Sequence, residues 1–295
     1  FVKRGIPCLG VEPAANVAKA AEEKGVKTMV AFFGKETATS MKANGQSADL
    51  IIGNNVLAQV PDINSFVAGI GVLLKPTGTA TLEFPHLERL IEGNQFDTIY
   101  HEHFSYFSLI TVERIFAAHG MTIFDVEELW THGGSIRVYA RPAADTSRPV
   151  SDRVLALRAR EEALGFRKIE TYPAFEQRVR ATKHKILSLL IDAKRAGKRI
   201  VGYGAPGKGN TLLNYCGIRT DFLDFTVDRN PYKHGRFTPG THIPIFAPDQ
   251  LDAAKPDLIF ILPWNLKDEI MKQLAHARSW GAKFIVPIPE ATLVP

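Results

Sequence analysis

Tyr100-His101-Glu102-His103 lies inside the run Ile99-Tyr100-His101-Glu102-His103-Phe104-Ser105-Tyr106-Phe107-Ser108, the densest set of proton-handling groups in the chain. Two imidazoles, a carboxylate, two phenols and two hydroxyls can take up, hold and return protons, and imidazole does so best near neutral pH. If Tyr100 to His103 is extended, its side chains alternate, so that His101 and His103 share one face and Tyr100 and Glu102 the other. If it is a turn, all four can converge on one pocket. The same residues also fit two other readings. One is a hydrogen-bonded connector without chemistry; the other is a metal site on His-x-His plus Glu, for which no third ligand set has matching spacing.

A second constellation is Gly202-Tyr203-Gly204-Ala205-Pro206-Gly207-Lys208-Gly209-Asn210, where Gly202, Gly204 and Gly207 spell G-x-G-x-x-G between a strand and a helix expected over 211–215. Close backbone approach and a helix amino terminus make a phosphate cradle, to which Lys208 adds a charge. Asp228 ends the next strand at about the distance expected for an acid on a nucleoside ribose. Those residues alone suggest an NAD(P)-dependent oxidoreductase. Lys208 is a candidate for a phosphate contact, with turn chemistry as the plainer alternative. Two further polar strand ends stand in the amino-terminal half. Glu12 follows Leu9-Gly10-Val11, where it suits a ribose or the first turn of the next helix, and Asn54-Asn55 end the apolar run over 48–55.

Positioning these groups requires alternating strands and helices. Strands are expected at 9–13, 26–33, 48–55 and 79–84, with helices over 14–24, 35–44 and 63–74, a turn at 75–78, and Asp62 as a helix cap. This alternation predicts a parallel α/β sheet with crossover connections. Residues 87–94 and 109–119 read as helices, and 121–129 with 135–141 as a hairpin turning through Trp130-Thr131-His132-Gly133-Gly134. A proline-bounded linker and long charged helices precede a second alternation with strands near 198–203, 225–227, 258–262 and 283–286. The expected domains are 1–142, a linker and helical region over 143–196, and 197–295.

The chain has 295 residues, 36 Lys or Arg against 31 Asp or Glu, and a net charge of +5. That balance suits a phosphorylated small molecule, and no aromatic-basic array of the single-strand nucleic-acid type is present. No apolar run is long enough to span a bilayer. Cys8 and Cys216, far apart in apolar segments, are expected to be reduced, buried thiols of a cytoplasmic protein. The opening on Phe1 and Lys3-Arg4-Gly5-Ile6-Pro7 reads as a fragment.

Taken in order, Gly10-Val11-Glu12-Pro13, the strand ending in Asn54-Asn55, Tyr100-x-Glu102-His103, Thr131-His132-Gly133-Gly134-Ser135-Ile136-Arg137-Val138-Tyr139 and Gly202-Tyr203-Gly204-Ala205 closely resemble one family. It is the S-adenosylmethionine-dependent C-methyltransferases that act on nucleotide-linked keto-deoxysugars, and the resemblance runs over nearly the whole chain. It implies a class I (Rossmann-like) methyltransferase domain, truncated before its glycine-rich cofactor loop, then a helical linker and a second Rossmann-like domain. Zinc belongs, by the same resemblance, to an amino-terminal domain that this sequence does not include. His103 is then the base that enolises the sugar, with Tyr100 and Glu102 orienting base and sugar. Glu12, Asn54 and Asn55 are cofactor contacts. Gln59, His132, Ser135, Arg137, Gly204, Lys208 and Asn210 are substrate contacts. Many relatives carry a histidine at the position of Gln59, and an amide cannot exchange a proton near neutrality. That difference keeps a noncatalytic sugar-nucleotide binder as a further alternative.

Overall fold

The computed structural model describes all 295 residues. In chain order its first elements are β1 (Gly10–Val11), α1 (Ala15–Glu23), β2 (Thr28–Met29), α2 (Lys35–Ala43), β3 (Ala48–Asn54), α3 (Ile63–Leu73), β4 (Leu74–Pro85) and α4 (Leu87–Glu92). There follow α5 (Leu109–Ala118), β5 (Met121–Leu129), β6 (Ser135–Pro142), α6 (Asp152–Ala163), α7 (Pro173–Arg195), β7 (Ile200–Tyr203), α8 (Gly207–Cys216) and β8 (Thr226–Val227). The last are β9 (Arg236–Phe237), β10 (Pro244–Phe246), α9 (Asp249–Ala254), β11 (Leu258–Ile261), α10 (Lys267–Gln273), β12 (Lys283–Val286) and β13 (Thr292–Val294). They pack as two compact units made of interleaved segments. The first is Phe1–His86, Phe104–Leu129 and Ser135–Ala163; the second is Leu87–His103, Trp130–Gly134 and Leu164–Pro295. The sequence-based limits at 142 and 196 are cuts along the chain, whereas packing places the segments Leu87–His103 and Trp130–Gly134 with the carboxyl-terminal unit.

In the first unit, β1 and β2 form a parallel pair, and a four-stranded sheet runs in the order β3-β4-β6-β5. β3 and β4 are parallel, while the expected hairpin β5–β6 joins antiparallel and makes the sheet mixed. Leu82, Phe84, Ile136 and Val138 are buried in the core of this unit with Phe107, Val112 and Phe116. β3 is an edge strand, and its Leu50 and Ile52 remain 44% and 47% exposed. The residues read as a turn at 75–78 are part of β4, opposite a register irregularity between Ala48 and Leu50. Pro76 and Gly78 are accommodated there because a bulged edge does not need every ladder hydrogen bond. Of the strand expected over 26–33, only Thr28–Met29 pairs. Asp62 caps α3 as expected, accepting from the Ser65 N–H at 2.9 Å. Asp62→Ala is expected to destabilise the protein by about 1 kcal/mol in chemical denaturation, because one helix donor loses its acceptor.

In the second unit a seven-stranded sheet runs β13-β12-β11-β7-β8-β10-β9, parallel except for β9 and β13 at its edges. β7 and β11 are buried along their whole lengths, as their apolar runs require of central parallel strands. From β7 the chain turns one way to β8, and it later returns to β11 on the other side. The carboxyl ends of β7 and β11 therefore flank the switch point, where ligands bind in sheets of this kind. α8 begins at Gly207, four residues ahead of the start expected, because its glycines and Lys208 already adopt helical geometry. Phe96 is buried in the same core, which anchors the stretch leading to His103. Cys216 is buried, but Cys8 is exposed, against expectation, because the chain is exposed throughout residues 1–8 and meets the core only from Leu9.

Candidate active site

Tyr100 to His103 form a turn: the His103 N–H donates to the Tyr100 carbonyl at 3.0 Å, which removes the extended alternative. The rings of Tyr100 and His103 stack with centroids 4.6 Å apart and 31° between planes, while His101 and Glu102 are exposed. His103 Nδ1 lies 3.0 Å from the Thr98 carbonyl oxygen. A carbonyl only accepts, so Nδ1 carries the hydrogen and the lone pair of the neutral ring is on Nε2. This is the tautomer of a base. Burial, reinforced by the carboxylates of Glu102 and Asp97, pushes the Tyr100 phenol above its ordinary range and keeps it a donor. Upstream, the single turn Phe96–Thr98 is held by Asn94, whose amide donates to Thr182 Oγ1 at 2.7 Å.

The glycines of the G-x-G-x-x-G stretch have packing reasons. A Cβ on Gly202 would come within 2.7 Å of Thr226 Oγ1, and one on Gly204, whose φ is +85°, within 2.6 Å of Pro263 Cγ. Asp228 is committed within the protein, accepting from the Ala205 N–H at 2.8 Å, the Asn230 N–H at 2.8 Å and Lys233 Nζ at 3.0 Å. Burial opposes its charge, but the backbone donors of Asn230 and Ala205, with Lys233, outweigh it and hold the carboxyl below its usual range. An acid so engaged has a structural duty that does not need a ribose. Calorimetric titration with NAD and NADP is expected to show no saturable binding; saturable binding lost in Gly204→Val would revive the oxidoreductase reading.

Lys208 Nζ donates to Asn265 Oδ1 at 2.9 Å and lies 4.7 Å from the centre of the Trp264 ring. Burial pulls its pKa down, and Asp97 works in the opposite direction. Asn210, two residues on, has a buried Oδ1 without a hydrogen-bond partner. Lys208 and Trp264 thus stand just beyond the carboxyl ends of β7 and β11. His132 is exposed in the same unit, at a φ of +56° in the turn ahead of Ser135.

The remaining candidates belong to the first unit. Glu12 Oε1 accepts from the Ala14 N–H at 2.8 Å, so the acid does serve the start of α1. Asn54 is exposed at the carboxyl end of β3, and Asn55 follows at a φ of +55° with its N–H on the Glu83 carbonyl at 2.7 Å. Glu12 after β1, and Asn54 and Asn55 at the end of β3, offer a carboxylate and two amides, the donor and acceptor types that a nucleoside can use. Gln59 is exposed in a turn whose Ala58 carbonyl accepts from the Phe104 N–H at 2.8 Å, directly after the His103 turn in sequence. Ser135 is buried, and Arg137 pairs with Glu83 at 2.7 Å and Glu127 at 3.4 Å.

Two family models match the chain: "Methyltransferase domain" over residues 1–126 and "C-methyltransferase C-terminal domain" over residues 130–289. The C-methyltransferase NovU of Streptomyces niveus is 38% identical over 294 residues, which span 100% of this chain and 70% of NovU. The chain belongs to the S-adenosylmethionine-dependent C-methyltransferases. Solved structures are more distant. A Thermotoga maritima S-adenosylmethionine-dependent methyltransferase aligns at 17% identity over 48% of this chain and 75% of its own, with a TM-score of 0.36. Magnesium protoporphyrin IX methyltransferase from Synechocystis, with bound S-adenosylmethionine, aligns at 13% identity over 47% and 60%, with a TM-score of 0.34. At such depth neither carries an argument about the site.

In this methyltransferase the residue that sequence reasoning missed is Asp97. Its carboxyl is fully buried, Oδ2 accepts from the Trp264 indole N–H at 2.7 Å, and Oδ1 has no partner. The only signal in the sequence is an acid within the apolar and aromatic run Phe96-Asp97-Thr98-Ile99-Tyr100. Burial raises its pKa to about 7, against the opposing effects of the Trp264 hydrogen bond and the Lys208 charge. Between about pH 4 and pH 7 the folded protein therefore keeps a proton that the unfolded chain has released. Stability is expected to fall across that window, by up to about 4 kcal/mol, and to level off above it. Denaturation midpoints measured against pH check this, and Asp97→Asn is expected to flatten the slope.

Proposed function

We propose that this enzyme methylates a carbon next to the ketone of a nucleotide-linked keto-deoxysugar, with His103 as the base. The observation that carries the reading is the contact of His103 Nδ1 with the Thr98 carbonyl, which leaves Nε2 as the basic atom. Nε2 takes the proton from the carbon beside the ketone. The Tyr100 phenol, kept protonated, and Glu102 orient the sugar and the base. A positioned base contributes about 10²–10⁴-fold, and a donor on the enolate oxygen a further ~10²–10³-fold. S-adenosylmethionine, when bound, supplies an electrophilic methyl group on a positively charged sulfur. Glu12, Asn54 and Asn55 hold its nucleoside portion. Lys208 and Asn210, with the close-packed turn at Gly204, take the phosphates of the sugar nucleotide, where the switch point of the second sheet favours a ligand. Gln59, His132, Ser135 and Arg137 are assigned to the sugar. NovU is named a C-methyltransferase, which agrees with carbon as the acceptor atom.

Solvent exchange separates enolisation from methyl transfer. Nucleotide-linked 4-keto-deoxysugars incubated with the enzyme in deuterium oxide, without methyl donor, are expected to take up one deuterium at the carbon next to the ketone, read by mass spectrometry. Adding S-adenosylmethionine is expected to replace that label with a methyl group. Sugar nucleotides that bind without exchange or methylation would assign the chain to sugar-nucleotide binding alone.

A further inference from the structure

Lys208 is a compact charge on a flexible four-carbon stem, and directing it at a fixed anion requires neighbours that hold the ammonium. Two groups of the second unit do so, and others hold one of those in place. The ammonium rests against the face of Trp264, 4.7 Å from the ring centre, and one of its N–H groups is taken by Asn265 at 2.9 Å. The indole is in turn fixed at its nitrogen by Asp97 Oδ2, at 2.7 Å. Its far edge abuts Gly133, where a Cβ would lie 3.0 Å from Trp264 Cη2. Gly133 is itself held, its carbonyl accepting from the Gln95 amide at 2.6 Å. The ring is thus clamped at both ends, and the buried Asp97 carboxyl is one of the clamps. An acceptor on the indole N–H also enriches the π face that the ammonium meets, which strengthens a desolvated cation–π contact.

We propose that Asp97 is a positioning residue that acts through the Trp264 indole to hold the Lys208 ammonium for the diphosphate of the substrate. This rests on the reading of Lys208 as an anion-binding group. Asp97 itself touches no substrate. Its carboxyl fixes the ring plane, and the ring plane fixes where the charge stands. The turn at Gly133 is close-packed for the same reason: a Cβ there would meet the Gln95 amide at 2.8 Å and the indole edge at 3.0 Å.

The test is a double-substitution cycle read by calorimetric titration with thymidine diphosphate and uridine diphosphate, with each variant's thermal unfolding transition as the control for folding. Lys208→Ala and Asp97→Ala are each expected to weaken diphosphate binding, the latter by about 3- to 10-fold. In the Lys208→Ala background, Asp97→Ala is expected to have no further effect. Asp97→Asn, whose amide oxygen can still accept from the indole, is expected to stay within about 3-fold of the native affinity, as the lost hydrogen bond is restored. Trp264→Phe keeps a ring but removes the N–H; it is expected to match Asp97→Ala and provides the same test if that variant does not fold. Independent, additive losses from Asp97→Ala, or from Trp264→Phe, and Lys208→Ala would overturn the positioning role while leaving Lys208 an anion site. Undiminished diphosphate binding in Lys208→Ala would instead remove the anion-site reading, and the proposal with it.

Discussion

His103→Ala is expected to lower methyl transfer by about 10²–10⁴-fold, the contribution of a positioned general base, while S-adenosylhomocysteine binds as before. The split follows from where the groups are carried. The residues assigned to the nucleoside of the cofactor lie in the first unit, and His103 lies in a turn of the second. His103 also fills little of the core, being only partly buried and stacked on Tyr100, so its removal does not open a large cavity. His103→Gln, similar in reach but unable to take a proton near neutrality, is expected to be as inactive as the alanine variant. Steady-state turnover with a labelled methyl donor, alongside calorimetry, provides both readouts. Equal loss of turnover and cofactor binding would make His103 a structural residue.

Glu161→Ala is expected to be the most damaging single substitution for the first unit, costing about 3–5 kcal/mol, because three buried hydrogen-bonding groups lose their partner at once. Glu161 and His86 both have fully buried side chains, with His86 Nε2 2.7 Å from Glu161 Oε1. The same carboxylate accepts from the N–H groups of Leu109 at 2.7 Å and Ile110 at 2.9 Å. These are amide donors at the amino end of α5 that no carbonyl within the helix can satisfy. A carboxylate is suited to that position by the helix dipole as well as by its lone pairs. Glu161 thereby ties α6 to the start of α5, the helix that follows the His103 connector in sequence. Chemical denaturation of the variant checks the prediction, and a loss under about 1 kcal/mol would show that water or Ser108 can replace the carboxylate. Glu161→Gln is expected to fall between the two, because one oxygen becomes a donor facing donors.

Much of the scaffold was legible before any coordinates. The strand–helix alternation, the cap at Asp62, the hairpin over 121–141 and the helix near 109–119 all follow from neighbouring residues: apolar spacing, turn glycines and short polar caps. The family was legible too, because motifs such as Tyr-x-Glu-His are short and contiguous. Spacing left open whether Tyr100 to His103 was extended or turned. The turn was decided by the preceding stretch, where Phe96 is buried in a core built largely from residues after 178 and Asn94 reaches Thr182.

What the sequence by itself determined was the inventory: an α/β chain with an enolising histidine candidate and a glycine-rich turn. Only the tertiary structure decided which groups meet. Asp97 and Trp264 are 167 positions apart and form one hydrogen bond, and Asp228 proved to be engaged by Ala205 and Lys233. Local propensity acts over a few residues along the chain, whereas burial and hydrogen bonding act over a few ångströms in space. A buried carboxyl acquires its partner, its proton and its role from the second kind of neighbour.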